Sequence, residues 1–273
     1  MALWQVERRA NGVVLARLVS PPMNYLNRHS LAELGVLIPQ WRDPAVRVVV
    51  LAGAVPGRFI THYSCEELVK IARDPALLRA HGAAMARGFH ATMRGLAQLS
   101  APVIVAMNGD TMGGGFELSL NCDIRVGQRG DYRYGLPEVT LGMVPGGTGT
   151  QRLARLIGAS NAVEFVLRGR LCTPEEALRR GLIHDLADDA LAHALRLAEE
   201  MVALAPAALA GIKRVAWDGA AADLDAGLVL EAEKFAASML APEALQVLEA
   251  YVALPLDRRR AWLERHAALQ GRG

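Results

Sequence analysis

The sequence predicts an α/β fold built from repeated strand–strand–helix units, a ββα spiral, closed by a run of C-terminal helices. Three observations carry that expectation. Residues 4–8 and 13–19 read as strands joined by Asn11-Gly12, a strong hairpin signal, with a helical pattern and a β-branched strand behind them. The apolar run from Pro102 to Gly109 reads as a buried strand that leads, through Gly113-Gly114-Gly115, into a helix. From Asp188 onward one amphipathic helical stripe follows another. Residues 1–200 are therefore expected to form the core that carries the site, and residues 201–273 a helical region.

A chain of 273 residues buries roughly three quarters of its unfolded surface and needs no covalent staples. Acids and bases are interspersed and the net charge is +2, so no electrostatic argument favours nucleic acid. Cys65, Cys122 and Cys172 lack metal-type spacing and cannot all pair within one chain. Free thiols in a reducing cytoplasm are expected. No cluster of His, Cys and Asp has ligand spacing, so no metal is expected. The first residues contain no apolar core long enough for a signal peptide, and the apolar runs fall short of the ~18 residues of a membrane span.

Taken in order, Pro21-Pro22 forces an extended loop through Met23-Asn24-Tyr25. Ser30 reads as the N-cap of a helix whose apolar positions Leu31, Leu34, Ile38 and Trp41 recur at helical spacing. Residues 46–51, apolar except Arg47, read as a central strand. Residues 75–99 read as a long alanine-rich helix with Leu78, Met85, Phe89 and Leu96 as core positions, and with His81 and His90 as surface or capping residues. Residues 148–157 read as a helix following Gly146-Gly147, a glycine run that lacks the lysine of a phosphate-binding loop. Thr173 caps a helix that starts at Pro174 and is ended by Gly181. The stripes Leu191, Leu195, Ala198, Val202 and Leu228, Ala232, Phe235, Met239 read as packing faces, and Asp257-Arg258-Arg259-Arg260 as a solvated face or a phosphate contact.

The chemistry concentrates between Pro102 and Glu138. Glycines at a helix start admit a ligand to the backbone, and the first four amides of a helix have no internal partner and sit at its electropositive end. A developing negative oxygen would be held there. Gly114 and Glu117 are three apart and face the same way. Glu138 follows in Gly135-Leu136-Pro137-Glu138, so an oxyanion donor and paired acids could converge. The competing reading is a tight glycine turn followed by solvated glutamates.

The runs Asn108-Gly109, Gly113-Gly114-Gly115-Phe116-Glu117-Leu118, Cys122-Asp123, Gly135-Leu136-Pro137-Glu138, Leu141-Gly142 and Pro145-Gly146-Gly147-Thr148-Gly149-Thr150-Gln151-Arg152-Leu153 resemble the crotonase superfamily, the enoyl-CoA hydratases and isomerases. Their order and spacing match, with about one extra residue between Asp123 and Leu136, and weaker likeness runs from Pro21-Pro22-Met23-Asn24 to Lys213-Arg214. The resemblance implies a crotonase-like spiral and a C-terminal helical region that forms a homotrimer or a dimer of trimers. It implies an acyl-CoA thioester as substrate, with coenzyme A part of that substrate and no separate cofactor, and places the chemistry in fatty acid metabolism.

The resemblance also distributes roles. Tyr63 and Gly114 would supply the two oxyanion amides, Glu117 and Glu138 would be the catalytic acids, and Met23, Tyr25, Thr61, His62 and Gly113 would contact substrate. Keeping both glutamates favours hydration of the 2,3 double bond over isomerisation. Double-bond isomerisation, acyl-CoA or C–C bond hydrolysis, and an idle binding subunit are the alternatives. In the loop Gly57 to Leu68 this chain departs from the family: His62 stands where glycine is usual and Ser64 where an acid is usual, and Tyr25 stands where the family has a small residue. His62 reads either as a base beside the reactive carbonyl or as a rim residue bonded to backbone.

Overall fold

The computed structural model describes residues 2–266; Met1 and residues 267–273, the end of the predicted helical region, lie outside the described residues. β1 (Trp4–Arg8) and β2 (Val13–Leu18) form the predicted antiparallel hairpin. Gly12 takes the left-handed φ of 87° that its turn requires. α1 (Arg28–Gln40) is capped three residues before the expected Ser30. Asn27 is the N-cap, accepting from the Ser30 amide, and the Ser30 hydroxyl accepts from the Asn27 amide to complete a capping box. Ser30 is thus the third helical residue, because an asparagine upstream offers the better acceptor. Leu34, Ile38 and Trp41 are buried as their spacing predicts.

β3 (Val48–Gly53) starts two residues later than expected but is central, parallel to its neighbours on both sides. It is followed by β4 (Gly57–Arg58), α2 (Cys65–Ala72) and α3 (Pro75–Ala97). β5 (Val103–Met107), β6 (Gly109–Met112) and α4 (Gly113–Ser119) make the next unit, and β7 (Ile124–Gln128) and β8 (Tyr134–Gly135) open a third. After a 3-10 turn at Glu138–Leu141 come α5 (Gly149–Ile157), α6 (Ala159–Leu167), β9 (Leu171–Cys172), α7 (Pro174–Arg179) and β10 (Asp185–Ala187).

Both strands of the hairpin lie in the larger of two sheets, and each later turn of the spiral gives one strand to each sheet. The larger has the order β1-β2-β3-β5-β7-β10 and the smaller β4-β6-β8-β9. Within the larger sheet every pairing after the hairpin is parallel. Its central strands β3 and β5 are buried on both faces, which is why they are almost uniformly apolar. One face packs on Trp41, Phe59, Phe116 and Leu96; the other receives α8 (Ala190–Val202) through Ala190, Ala194 and Ala198.

α9 (Pro206–Arg214) is anchored to the core by Lys213, buried with its ammonium 2.8 Å from Asp123. A single π turn at Val215–Gly219 leads on to α10 (Leu224–Met239), α11 (Pro242–Val252) and α12 (Leu256–His266). Among the described residues the stripe on α10 stays largely exposed: Leu228, Phe235 and Met239 all face outward in part, Phe235 at 67%. In the basic cluster Arg259 turns back on the end of α11, donating to the carbonyls of Val252 and Leu254 and lying over the Tyr251 ring, while Arg258 pairs with Asp257 at the surface. No described helix is long and apolar enough to cross a membrane.

Candidate active site

A cavity of about 560 Å³ lies beneath α1, α2 and α3 and reaches Tyr63, Gly114, Glu117 and Glu138. Its floor is made where the second strand of each spiral unit meets the next helix. β6 runs straight into α4, so the first amides of α4, including that of Gly114, point out of the helix without an internal acceptor. The loop after β4 lies alongside: a Cβ on Gly114 would sit 3.5 Å from the Tyr63 nitrogen and 3.2 Å from the Tyr63 Cβ. Tyr63 is held by a parallel bridge with Leu26, in which Leu26 donates to the His62 carbonyl and Ser64 donates to the Leu26 carbonyl. This bridge turns the Tyr63 amide away from Leu26. The two main-chain donors therefore lie side by side.

Glu117, one turn into α4, is 2% exposed. Its Oε1 accepts from the amides of Gly147 and Gly149, both at 2.8 Å. A Cβ at residue 147 would fall 2.5 Å from Glu117 Oε2, and one at residue 149 would fall 2.7 Å from Oε1. Only glycine lets the loop approach so closely. Burial, and then the charge of Glu138, pushes the Glu117 carboxyl up to about 7, against the opposing pull of the Gly149 and Gly147 amides.

Glu138 opens the 3-10 turn and is 9% exposed; its carboxyl is also raised, first by burial, with its own backbone amide opposing. Its Oε1 lies 3.0 Å from the place of a Cβ on Gly113, and its Oε2 is buried without a hydrogen-bond partner. One carboxylate is clamped and the other keeps an oxygen free. Both favour the protonated form more than a surface glutamate does, which suits them to give and take protons.

The predicted contact residues Met23, Tyr25, Thr61, His62 and Gly113 do not line this cavity; Gly113 lies against Glu138 and His62 beside its floor. The Thr61 hydroxyl donates to the Met23 carbonyl, and the Thr61 carbonyl accepts from the Met112 amide, so Thr61 is buried in structure-building bonds. Tyr25 stacks on His62 with ring centroids 4.3 Å apart. His62 Nδ1 lies 2.6 Å from the Tyr63 carbonyl oxygen, and its Cβ lies near Gly113. Gly113 itself has φ 45°. Tyr63 turns its phenol to Glu67 Oε2 at 2.7 Å and its ring toward Phe89.

The cavity's apolar wall was not foreseen. Leu31, Leu68, Ile71, Leu78, Met85 and Phe89 line it. Leu78 and Met85, expected in the core, are exposed to the cavity instead. Their helical spacing was read correctly as one face of α3, but the same stripe serves a cavity as well as a core. His90 on that helix reaches the Gly146 carbonyl with Nε2 at 2.9 Å, bracing the glycine loop. Among the described residues no group of three His, Cys, Asp or Glu side chains could hold a metal ion.

The short-chain-enoyl-CoA hydratase of Clostridium acetobutylicum is 32% identical over 240 residues, covering 86% of this chain and 89% of that protein. The fatty acid oxidation complex subunit alpha of Shewanella putrefaciens is 33% identical over 189 residues, which span 67% of this chain but only 26% of that longer protein. The crystal structure of an enoyl-CoA hydratase from Bacillus anthracis superposes with a TM-score of 0.84 at 30% identity, covering 91% of this chain and 95% of that one. The enoyl-CoA hydratase/isomerase family pattern matches residues 8–252, and the chain belongs to that family.

Proposed function

We propose that this protein is an enoyl-CoA hydratase that adds water across the 2,3 double bond of an acyl-CoA thioester. One observation carries the reading: a single cavity holds two buried carboxyls and a free helix-start amide. Hydration of a conjugated thioester builds negative charge on the carbonyl oxygen. The amides of Tyr63 and Gly114 would receive that oxygen, and loss of one such donor typically costs about 3–4 kcal/mol of transition-state stabilisation. Glu117 and Glu138 would hold the water between them. One accepts its proton as the hydroxyl bonds to the β-carbon; the other delivers a proton to the α-carbon. The two acids interact, so they act and titrate as a pair.

On this reading the wall from α1 to α3 receives the acyl chain, while Met23, Tyr25, Thr61, His62 and Gly113 border the thioester end. Coenzyme A enters as part of the substrate, and no separate cofactor is required. A homotrimer or dimer of trimers is supported by the apolar side chains left exposed along α10 and α11 and at the turn between them, among them Phe235 and Leu240, the latter at 85%. The free thiols Cys65, Cys122 and Cys172 suit a reducing cytoplasm.

The test is a panel of enoyl-, β-hydroxyacyl- and saturated acyl-CoA thioesters followed by mass spectrometry. Gain of one water by the enoyl substrates is expected. Bond migration at constant mass would make the chain an isomerase, and release of free CoA a hydrolase; either outcome overturns the hydratase reading.

A further inference from the structure

The loop that clamps Glu117 contains a strained residue. Between Gly147 and Gly149 stands Thr148 at φ 87°. A β-branched side chain is a genuine outlier in that region and persists only when its surroundings hold it there. The Thr148 carbonyl accepts from the Gln151 and Arg152 amides at the start of α5, and its hydroxyl is held by one side chain. Asn121, fully buried at the end of α4, donates from Nδ2 both to the Thr148 hydroxyl at 2.7 Å and to the Glu117 carbonyl at 2.9 Å. Its Oδ1 accepts from Arg152 Nε at 2.9 Å, and Arg152 lies 4.3 Å over the Trp217 ring, whose Nε1 donates to Asp123. Asn121 thus joins the backbone that carries Glu117 to the loop that receives its carboxylate.

We propose that Asn121 is a positioning residue: by holding Thr148 in its left-handed conformation it keeps the Gly147 and Gly149 amides aimed at Glu117 Oε1. The bond geometry stands by itself; the consequence for turnover rests on the hydratase reading. Thr148→Val keeps the β-branched shape and removes the hydroxyl, so the strain loses its restraint. Thr148→Gly removes restraint and strain together, because glycine adopts this φ freely. A packing role would rank the variants the other way, with the larger valine the better tolerated.

Thr148→Val and Asn121→Ala are expected to lower kcat about 10–100-fold, with little change in KM. Thr148→Gly stays near the parent rate, and the double variant Asn121→Ala/Thr148→Gly recovers most of the loss. A second readout is independent of turnover: the titration of the Glu117 carboxyl, followed by 13C NMR and assigned with Glu117→Gln. Loss of two donated hydrogen bonds moves it upward in Thr148→Val and Asn121→Ala, and the double variant returns it. The other ionisable groups about Glu117 are Glu138 across the cavity, Tyr63 and Arg28 on its rim, His90 at the Gly146 carbonyl and Arg152 behind Asn121. All are retained in every variant.

The proposal is overturned if Thr148→Gly is as impaired as Thr148→Val, or if the carboxyl titrates alike in the parent and Asn121→Ala. Should the parent hydrate nothing, the function reading fails while the titration still decides the role of Asn121. Should Asn121→Ala not fold, the contrast between valine and glycine at residue 148 decides it alone.

Discussion

The two ends of the cavity are built on opposite principles. At the floor the polar contacts come largely from main chain: the amides of Tyr63 and Gly114, and the Gly147 and Gly149 amides that fix one oxygen of Glu117. At the wall, α1, α2 and α3 contribute mainly the shape and apolarity of side chains such as Leu31, Ile71 and Phe89. Backbone donors cannot change with the side chain that carries them, so the floor is rigid and tolerates little. A wall of apolar side chains can be repacked at modest cost, since one methylene in such a pocket is worth only about 1–3 kcal/mol. On the proposed reading, chemistry resides at one end and substrate choice at the other.

The sharpest way to break that division is to change the floor without changing its shape. Glu117→Gln and Glu138→Gln are near-isosteric, and each is expected to lower kcat about 10²–10⁴-fold, the usual range for general acid–base groups. Steady-state kinetics on a short enoyl-CoA would settle it. If both variants turn over at the parent rate, the two-acid mechanism is wrong and the polar floor has another purpose.

The same substitution should have an opposite effect on stability. The Glu117 carboxyl sits above its ordinary value because burial, foremost, and Glu138 oppose its charge. The stability attached to its protonated form is complete below about pH 4.5 and is lost as pH rises through about 7. Glutamine carries no such charge. Glu117→Gln should therefore match the parent near pH 4.5 and exceed it above pH 7, by on the order of 3 kcal/mol. Denaturant unfolding at the two pH values measures this. An equal difference at both would show that the buried carboxyl is not destabilised by its charge.

The contrast between floor and wall also explains what was legible in the sequence. Four strands of the larger sheet, β1, β2, β3 and β5, were readable from a hairpin signal or a β-branched apolar run, whereas β7 and the three-residue β10 were not. The smaller sheet was not, since β4, β8 and β9 are two residues each and carry no periodicity. Gly114, Glu117 and Glu138 were found because close backbone approach demands glycine in a recognisable pattern around them. Leu78 and Met85 were assigned to the core because an apolar stripe looks the same whether it meets other side chains or a cavity. Asn121 was passed over for a different reason: its importance depends on the φ of Thr148, and no residue type announces that angle.

Tyr63 belongs to both ends, and the smallest predicted effect comes from dividing it. Its amide lies beside Gly114 on the floor, while its ring stands in the wall near Phe89 with the hydroxyl on Glu67. Burial, and then the bond to Glu67, raises the phenol's pKa, so the hydroxyl stays protonated and cannot serve as a base. Tyr63→Phe removes that hydroxyl and leaves amide and ring where they are. Its kcat should stay within about threefold of the parent, and stability should fall by about 1 kcal/mol for the lost hydrogen bond. A kcat reduced a hundredfold, with the fold intact by circular dichroism, would move the phenol from the wall to the floor and make the side chain, not the amide, the chemical contribution of Tyr63.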